Sequence, residues 1–248
     1  MTWTNTSVLG FSATSGSFTV TTAGKTVGAC AFGISTSTTT WTLGDALTSS
    51  AAITVTGGTF TTNNYNVTAT SLSSSNSNTR TINLGSSTVT LTAASPATQF
   101  TNTANLTFNA GTSTIVCSAT GAALVVGLGA ALTFYNVSFT STTAGTSSIQ
   151  MGGVGLGSST TFNNLTVAAP STTGVTQLTI DSRITINGTL STTGTAGNRR
   201  VWFRGLTYGI AQTLTINSAP SLTDADFRDI YVIGTAAPIS GTRIGNLS

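Results

Sequence analysis

The 248-residue chain has no histidine, no glutamate and a single lysine, Lys25. General acid–base catalysis draws mostly on His, Glu, Asp and Lys. A catalytic proton at moderate pH therefore has only Asp45, Asp181, Asp224, Asp226 and Asp229 to occupy. Transition metals take imidazole and thiolate ligands, and the chain offers no imidazole and two cysteines. These absences argue against an enzyme and against a resident metal or cofactor. Charged residues make up 5% of the chain, against about a quarter in an ordinary domain. The net charge of +3 comes from scattered arginines, not from the broad basic field that nucleic-acid binding requires. The longest apolar run, Ala122 to Leu132, is broken by glycines and too short to span a bilayer, so no membrane insertion is expected. Met1-Thr2-Trp3-Thr4-Asn5 has neither the positive nor the apolar region of a secretory leader. Cys30 and Cys117 are too few for a disulfide framework. Their apolar surroundings, Gly28 to Phe32 and Thr114 to Cys117, mark them as free buried thiols.

What is present is polar but uncharged. About a third of the residues are Ser or Thr, and 27 are Gly. Mean hydropathy is +0.27, whereas disorder goes with low hydrophobicity and high net charge, so the chain is expected to fold. Low net charge also favours association. Period-two alternation with β-branched residues marks half-buried strands. It occurs at Ile53–Thr56, Ser87–Thr92, Leu178–Ile180, Ile184–Ile186 and Leu214–Ile216. Gly57-Gly58, Asn63-Asn64, Ser73 to Asn78 and Gly194 to Asn198 supply turns. No stretch carries a helical period, and the strong helix formers Glu and Lys are all but missing.

A degenerate repeat runs through the strands: Asn or Asp, an aliphatic residue, a hydroxyl residue, then an apolar one. Its members are Asn66-Val67-Thr68-Ala69, Asn105-Leu106-Thr107-Phe108, Asn136-Val137-Ser138-Phe139, Asn164-Leu165-Thr166-Val167 and Asp229-Ile230-Tyr231-Val232. An aromatic stands two before it at Phe134, Phe162 and Phe227. With weaker members at Ile82-Asn83-Leu84, Ile186-Asn187-Gly188 and Ile216-Asn217-Ser218, the Asn positions 66, 83, 105, 136, 164 and 187 lie 17 to 31 residues apart, and irregular repeats of this size predict solenoid rungs joined by loops of varying length. Asn at a rung corner tolerates left-handed backbone, and its amide can bond the equivalent residue one rung away.

These steps resemble the right-handed parallel β-helix segments of bacteriophage tail-fibre and tailspike proteins and of bacterial surface adhesins. The resemblance covers residues 50–248. It implies an all-β fold, a right-handed parallel β-helix over 49–248, preceded by a differently built capping or attachment segment over 1–48. It also implies a structural virion role, self-association as a homotrimer, contact with other virion proteins and with a cell-surface glycan, and residence in the virion. The alternatives are an extracellular filament subunit or adhesin at the cell surface, and a tailspike-type enzyme that cleaves polysaccharide.

Two clusters carry candidate chemistry. Asn198-Arg199-Arg200-Val201-Trp202-Phe203-Arg204 holds three of the eight basic residues. Strand alternation puts Arg200, Trp202 and Arg204 on one face. Arg199, Arg200, Trp202 and Arg204 are therefore the expected assembly or ligand contact, since Arg and Trp are enriched at interfaces. Asp224 and Asp226 would share a face, and a polysaccharide-cleaving site would set one of them near Trp202 or Tyr208. The competing reading of Ser221 to Asp226 is a solvated turn. Finally, Thr54-Val55-Thr56 and Thr88-Val89-Thr90 resemble the steps of flat threonine-array solenoids that bind ice. Their irregular recurrence in the sequence argues against a regular array.

Overall fold

The computed structural model describes residues 7–128, 131–152, 160–180 and 183–247. These residues form a parallel β-solenoid of about nine turns, with no helix. The strands stack into three sheets. Sheet A has eleven strands, from Leu9–Phe11 to Gly245–Asn246; sheet B has five, from Ser17–Val20 to Leu106–Asn109; sheet C has eleven, from Thr26–Val27 to Ile230–Ile233. The strands expected from alternation all lie within this framework. The sheets cross the expected boundary at residue 48 without a break. Leu9–Phe11 pairs with Cys30–Phe32, which pairs with Ile53–Val55.

The core follows from period two. Along each strand the inward positions are apolar and the outward ones polar, as in Thr40–Leu43 and Thr160–Val167. In-register stacking places like on like. Phe11 lies 4.5 Å from Phe32, Phe134 lies 5.6 Å from Phe162, and Phe203 lies 5.1 Å from Phe227, all stacked. Cys30 and Cys117 are free and buried. Burial pushes their thiols up to about 11 and about 12 respectively, as desolvation of a thiolate requires.

The cross-section changes along the axis. As far as Asn109 each turn has three sides. Beyond it sheet B stops, and Thr133–Phe139 makes one long strand where earlier turns made two. Phe108, from the last strand of sheet B, packs 5.1 Å from Phe134, so the aromatic column continues across the step. A cleft of about 460 Å³ opens there, among Phe108, Asn109, Phe134, Tyr135, Asn163 and Asn187. At the first described turn the core ends in an apolar pocket of about 590 Å³ lined by Leu9, Phe11, Phe18, Val20 and Trp41.

The degenerate repeat proves to mix the sheets. Val67, Val137, Leu165 and Ile230 belong to sheet C strands, whereas Leu106 opens a sheet B strand and Phe227 lies in sheet A. Strands on all three sides turn an apolar residue inward soon after the corner, so all three corners produce similar sequences. The expected amide ladder is present in pairs. Asn109 donates to Asn83 at 2.7 Å, Asn164 to Asn136 at 2.8 Å and Asn217 to Asn187 at 2.9 Å. Left-handed backbone occurs at Asn64 (φ 67°), Gly85 (φ 54°) and Gly111 (φ 58°), a corner column between sheets B and C. A Cβ at Gly85 would overlap Asn64 Oδ1, and one at Gly111 would overlap the Gly85 carbonyl, so glycine is needed there for space as well as for φ.

Arg80 is the one charged side chain in the core of the three-sided half; it is 1% exposed. Its Nε donates to Ser74 Oγ at 2.7 Å, and its Nη atoms donate to the carbonyls of Asn78, Ala104, Ser74 and Asn102 at 2.5–3.1 Å. No carboxylate faces it in these bonds; the guanidinium ties two successive corners by their backbones. Burial lowers its pKa from the ordinary arginine value. Replacing Arg80 by Met keeps the stem and strands these carbonyls, so stability should fall by about 3 kcal/mol. A urea midpoint matching the parent would contradict this role for Arg80.

Candidate functional site

The basic segment forms the sheet A strand Arg199–Gly205. Val201, Phe203 and Gly205 are buried, while Arg200, Trp202 and Arg204 take the outward positions, as alternation predicts. Arg199 falls on the other parity, at the strand's start, and is half-buried; its Nε has no hydrogen-bond partner. The expected group of four therefore divides, with three residues sharing a face and one apart.

The next rung adds what sequence reasoning left separate. Trp202 stands in register with Asp226, and Arg204 with Arg228. On the other side Trp202 meets Gln177 and Arg204 meets Thr179. The Arg200 guanidinium forms a two-point ion pair with Asp226: Nε bonds Oδ2, and Nη2 donates to Oδ1 at 2.7 Å. Nη2 also donates to the Arg243 carbonyl at 2.8 Å. Arg243 in turn grips Asp224, with Nε to Oδ1 at 2.6 Å and Nη2 to Oδ2 at 2.8 Å. Arg200 Nη1 lies 3.7 Å from the same Asp224 oxygen. Charge-assisted two-point pairs of this kind are the strong, directional ones.

Asp224 and Asp226 are thus neither a solvated turn nor a pair facing open solvent. They are 0% and 5% exposed. Asp224 sits just before the strand Ala225–Arg228 with left-handed backbone, φ 56°. The Arg243 hydrogen bond holds the Asp224 carboxyl below the usual carboxylate range, against the opposing effect of burial. Asp226 raises the Arg200 pKa, chiefly through the hydrogen bond. A glycosidase needs one carboxylic acid held protonated, and the arginine lock does the opposite for Asp224. Asp45 is engaged elsewhere: the Thr22 amide donates to it at 2.8 Å and lowers its pKa. Asp181 lies outside the described residues. No group of three or more potential metal-ligating His, Cys, Asp or Glu side chains occurs among the described residues.

The upper part of the face is cationic and aromatic. Arg204 and Arg228 lie over the Tyr208 ring, at 5.3 and 4.4 Å from its centroid. Tyr208 is 62% exposed, with Leu206 and Ile210 exposed beside it. Arg228 also reaches Asp229 at 3.7 Å. Two arginines directly opposed across a parallel ladder repel; the ring between them offsets part of this by cation–π attraction. Arg204 Nε and Trp202 Nε1 have no hydrogen-bond partner. The sequence pointed to Trp202 and Arg204, but it gave no sign that Arg228 and Arg243 would join them. Those contacts depend on a register across loops of different length.

Comparison with protein families, curated proteins and solved structures finds no match to this chain.

The arginine lock makes a pH prediction. The folded pKa of Asp224 is lowered, so its contribution to stability is complete above the unfolded carboxylate value, about 3.9. It is lost as pH falls through the lower folded value. Asp224→Asn should therefore cost stability at pH 7, and the gap between variant and parent should narrow as pH drops below about 4. Urea midpoints measured from neutral to acid pH give the comparison; a gap constant with pH would remove Asp224 as an acid-sensitive lock.

Proposed function

We propose that this chain is a structural protein of a bacteriophage virion, a fibre, spike or capsid-surface component that contributes to host adhesion. One observation carries the reading: about nine turns follow one another in two continuous parallel ladders, with a third along the first five turns. A solenoid in which each rung hydrogen-bonds its neighbours is stiff and hides its backbone from proteases. Its outward faces carry hydroxyls and amides in place of charges, which suits packing into an assembly. The Trp202, Arg204, Tyr208 and Arg228 face is the contact surface. Aromatic rings beside outward-facing arginines suit an interface with another subunit or an acidic glycan. Self-association, as a homotrimer in the resembled proteins, would add stability to the shaft.

The polysaccharide-cleaving alternative loses ground because Asp224 and Asp226 are committed to Arg243 and Arg200. The adhesin or filament alternative differs by location and not by chemistry.

Cryo-electron microscopy of native particles, with this solenoid fitted to the density, tests the proposal. A rod of about nine turns placed in a virion fibre, spike or capsid lattice supports it. Filaments on cells, a free soluble particle, or cleavage of a host polysaccharide by the isolated chain would overturn it.

A further inference from the structure

The outward face of sheet B holds two straight ranks of hydroxyl and amide side chains. In the first rank Ser17 is in register with Thr40, Thr40 with Thr59, Thr59 with Thr81, and Thr81 with Thr107. In the second, Thr19 is in register with Thr42, Thr42 with Thr61, Thr61 with Asn83, and Asn83 with Asn109. Each strand is thus a hydroxyl–apolar–hydroxyl or hydroxyl–apolar–amide step: Ser17-Phe18-Thr19, Thr40-Trp41-Thr42, Thr59-Phe60-Thr61, Thr81-Ile82-Asn83 and Thr107-Phe108-Asn109. Successive steps lie 19 to 26 residues apart in the chain. The two threonine steps singled out in the sequence, Thr54-Val55-Thr56 and Thr88-Val89-Thr90, lie on sheets A and C instead, and the sheet B steps are themselves unevenly spaced along the chain. The corners absorb this unevenness, and the face is regular in space.

Four properties suit this face to ordering water. Its repeats are set by the sheet: about 4.8 Å between rungs and about 6.6 Å between alternate residues along a strand. The inter-rung repeat is close to the shorter oxygen repeat of hexagonal ice. Next, its hydroxyls are free. Ser17, Thr19, Thr40, Thr42, Thr59, Thr81 and Thr107 make no side-chain hydrogen bond to the described protein, and Thr61 only accepts one, from Asn83 at 3.2 Å. Corner hydroxyls behave differently: Ser49, Thr62 and Ser74 each donate to a backbone carbonyl at 2.7–2.8 Å. On sheet C the in-register Thr48, Thr68 and Thr90 also make no side-chain hydrogen bond to the described protein, but farther along that sheet Thr166 and Ser191 bond each other at 2.8 Å. Third, the face carries no charge. The only ionisable side chain in its strands is Arg80, which points into the core. Fourth, it is rigid. Trp41, Phe60 and Ile82 back it from inside at 2% exposure or less, and β-branched threonines have few χ1 choices.

A charged surface orders water around ions, and a flexible one orders it poorly. Here fixed methyl groups alternate with fixed, unsatisfied hydroxyls. Water caged over the methyls can bond the hydroxyls without losing its lattice positions. We propose that the sheet B face is an ice-binding surface, with crystalline water as its ligand. This site is separate from the arginine and aromatic face of sheet A and does not depend on the virion reading.

The test is thermal hysteresis of the purified chain, with its partition into a slowly growing ice hemisphere as a second readout. The parent should depress the freezing point below the melting point and enter the ice. Thr42→Lys and Thr59→Lys place a charge in each rank from outward positions and should abolish both effects. Gln99→Lys, on exposed sheet A, should leave both unchanged. Unaltered β circular dichroism and thermal melting in all three variants confirm that folding is not the cause. Absence of hysteresis and of ice partition in the parent would overturn the proposal. So would equal loss in the Gln99 variant, or binding to microcrystalline cellulose or chitin without binding to ice.

Discussion

Everything in this molecule rests on the in-register parallel ladder. Each strand residue sits about 4.8 Å from its counterpart one turn away, so whatever a position carries is repeated against itself. That rule builds the stacked pair Phe134 and Phe162 and the amide pair Asn136 and Asn164. It also sets Arg204 against Arg228, an unfavourable pairing that Tyr208 intervenes to relieve. A helix bundle would spread such likenesses over its surface. A ladder concentrates them, and the choice of residue at one position becomes a property of a whole face.

The same rule explains what was readable in the sequence. Period-two alternation reports directly on which side of a strand is buried, and it located strands such as Ile53–Val55 and Ile184–Ile186. Asn at corners has a mechanism that acts one rung away, and the amide pairs are found. The local repeat does not mark a single column. Leu106 and Phe227 carry the local pattern of sheet C yet belong to sheets B and A, because burying an apolar residue after a corner is the same local event on every side. Which strand lies above which depends on loop length, and loop length has no periodic signature.

The candidate site shows the same division. Alternation within one strand was enough to put Arg200, Trp202 and Arg204 on a common face. It could not reveal that Arg243 reaches back nineteen residues to Asp224, or that Arg200 crosses a rung to Asp226. Without those partners the two aspartates read as turn residues or as a catalytic pair. With them they are fixed anions in a network that fastens the last turns together. The acidic groups and the arginines near the end of the chain therefore act first as structure, whereas Arg204, Arg228 and the aromatic rings face outward apart from that network.

The change from three sides to two separates the chemistry along the rod. Sheet B exists only in the first half, so its neutral, hydroxyl-bearing face exists only there. All basic residues other than Lys25 and Arg80 lie from Arg183 onward, on turns that have two long sides. Long strands such as Arg199–Gly205 have room for three outward residues where Thr59–Thr61 has two, so a mixed set of arginine and aromatic side chains fits on one rung. The step at Phe108 and Phe134 lets both geometries share a single core. A neutral array and a charged patch can then sit on one rigid body without the charges disturbing water over the array, because several Debye-screened rungs of neutral residues stand between them.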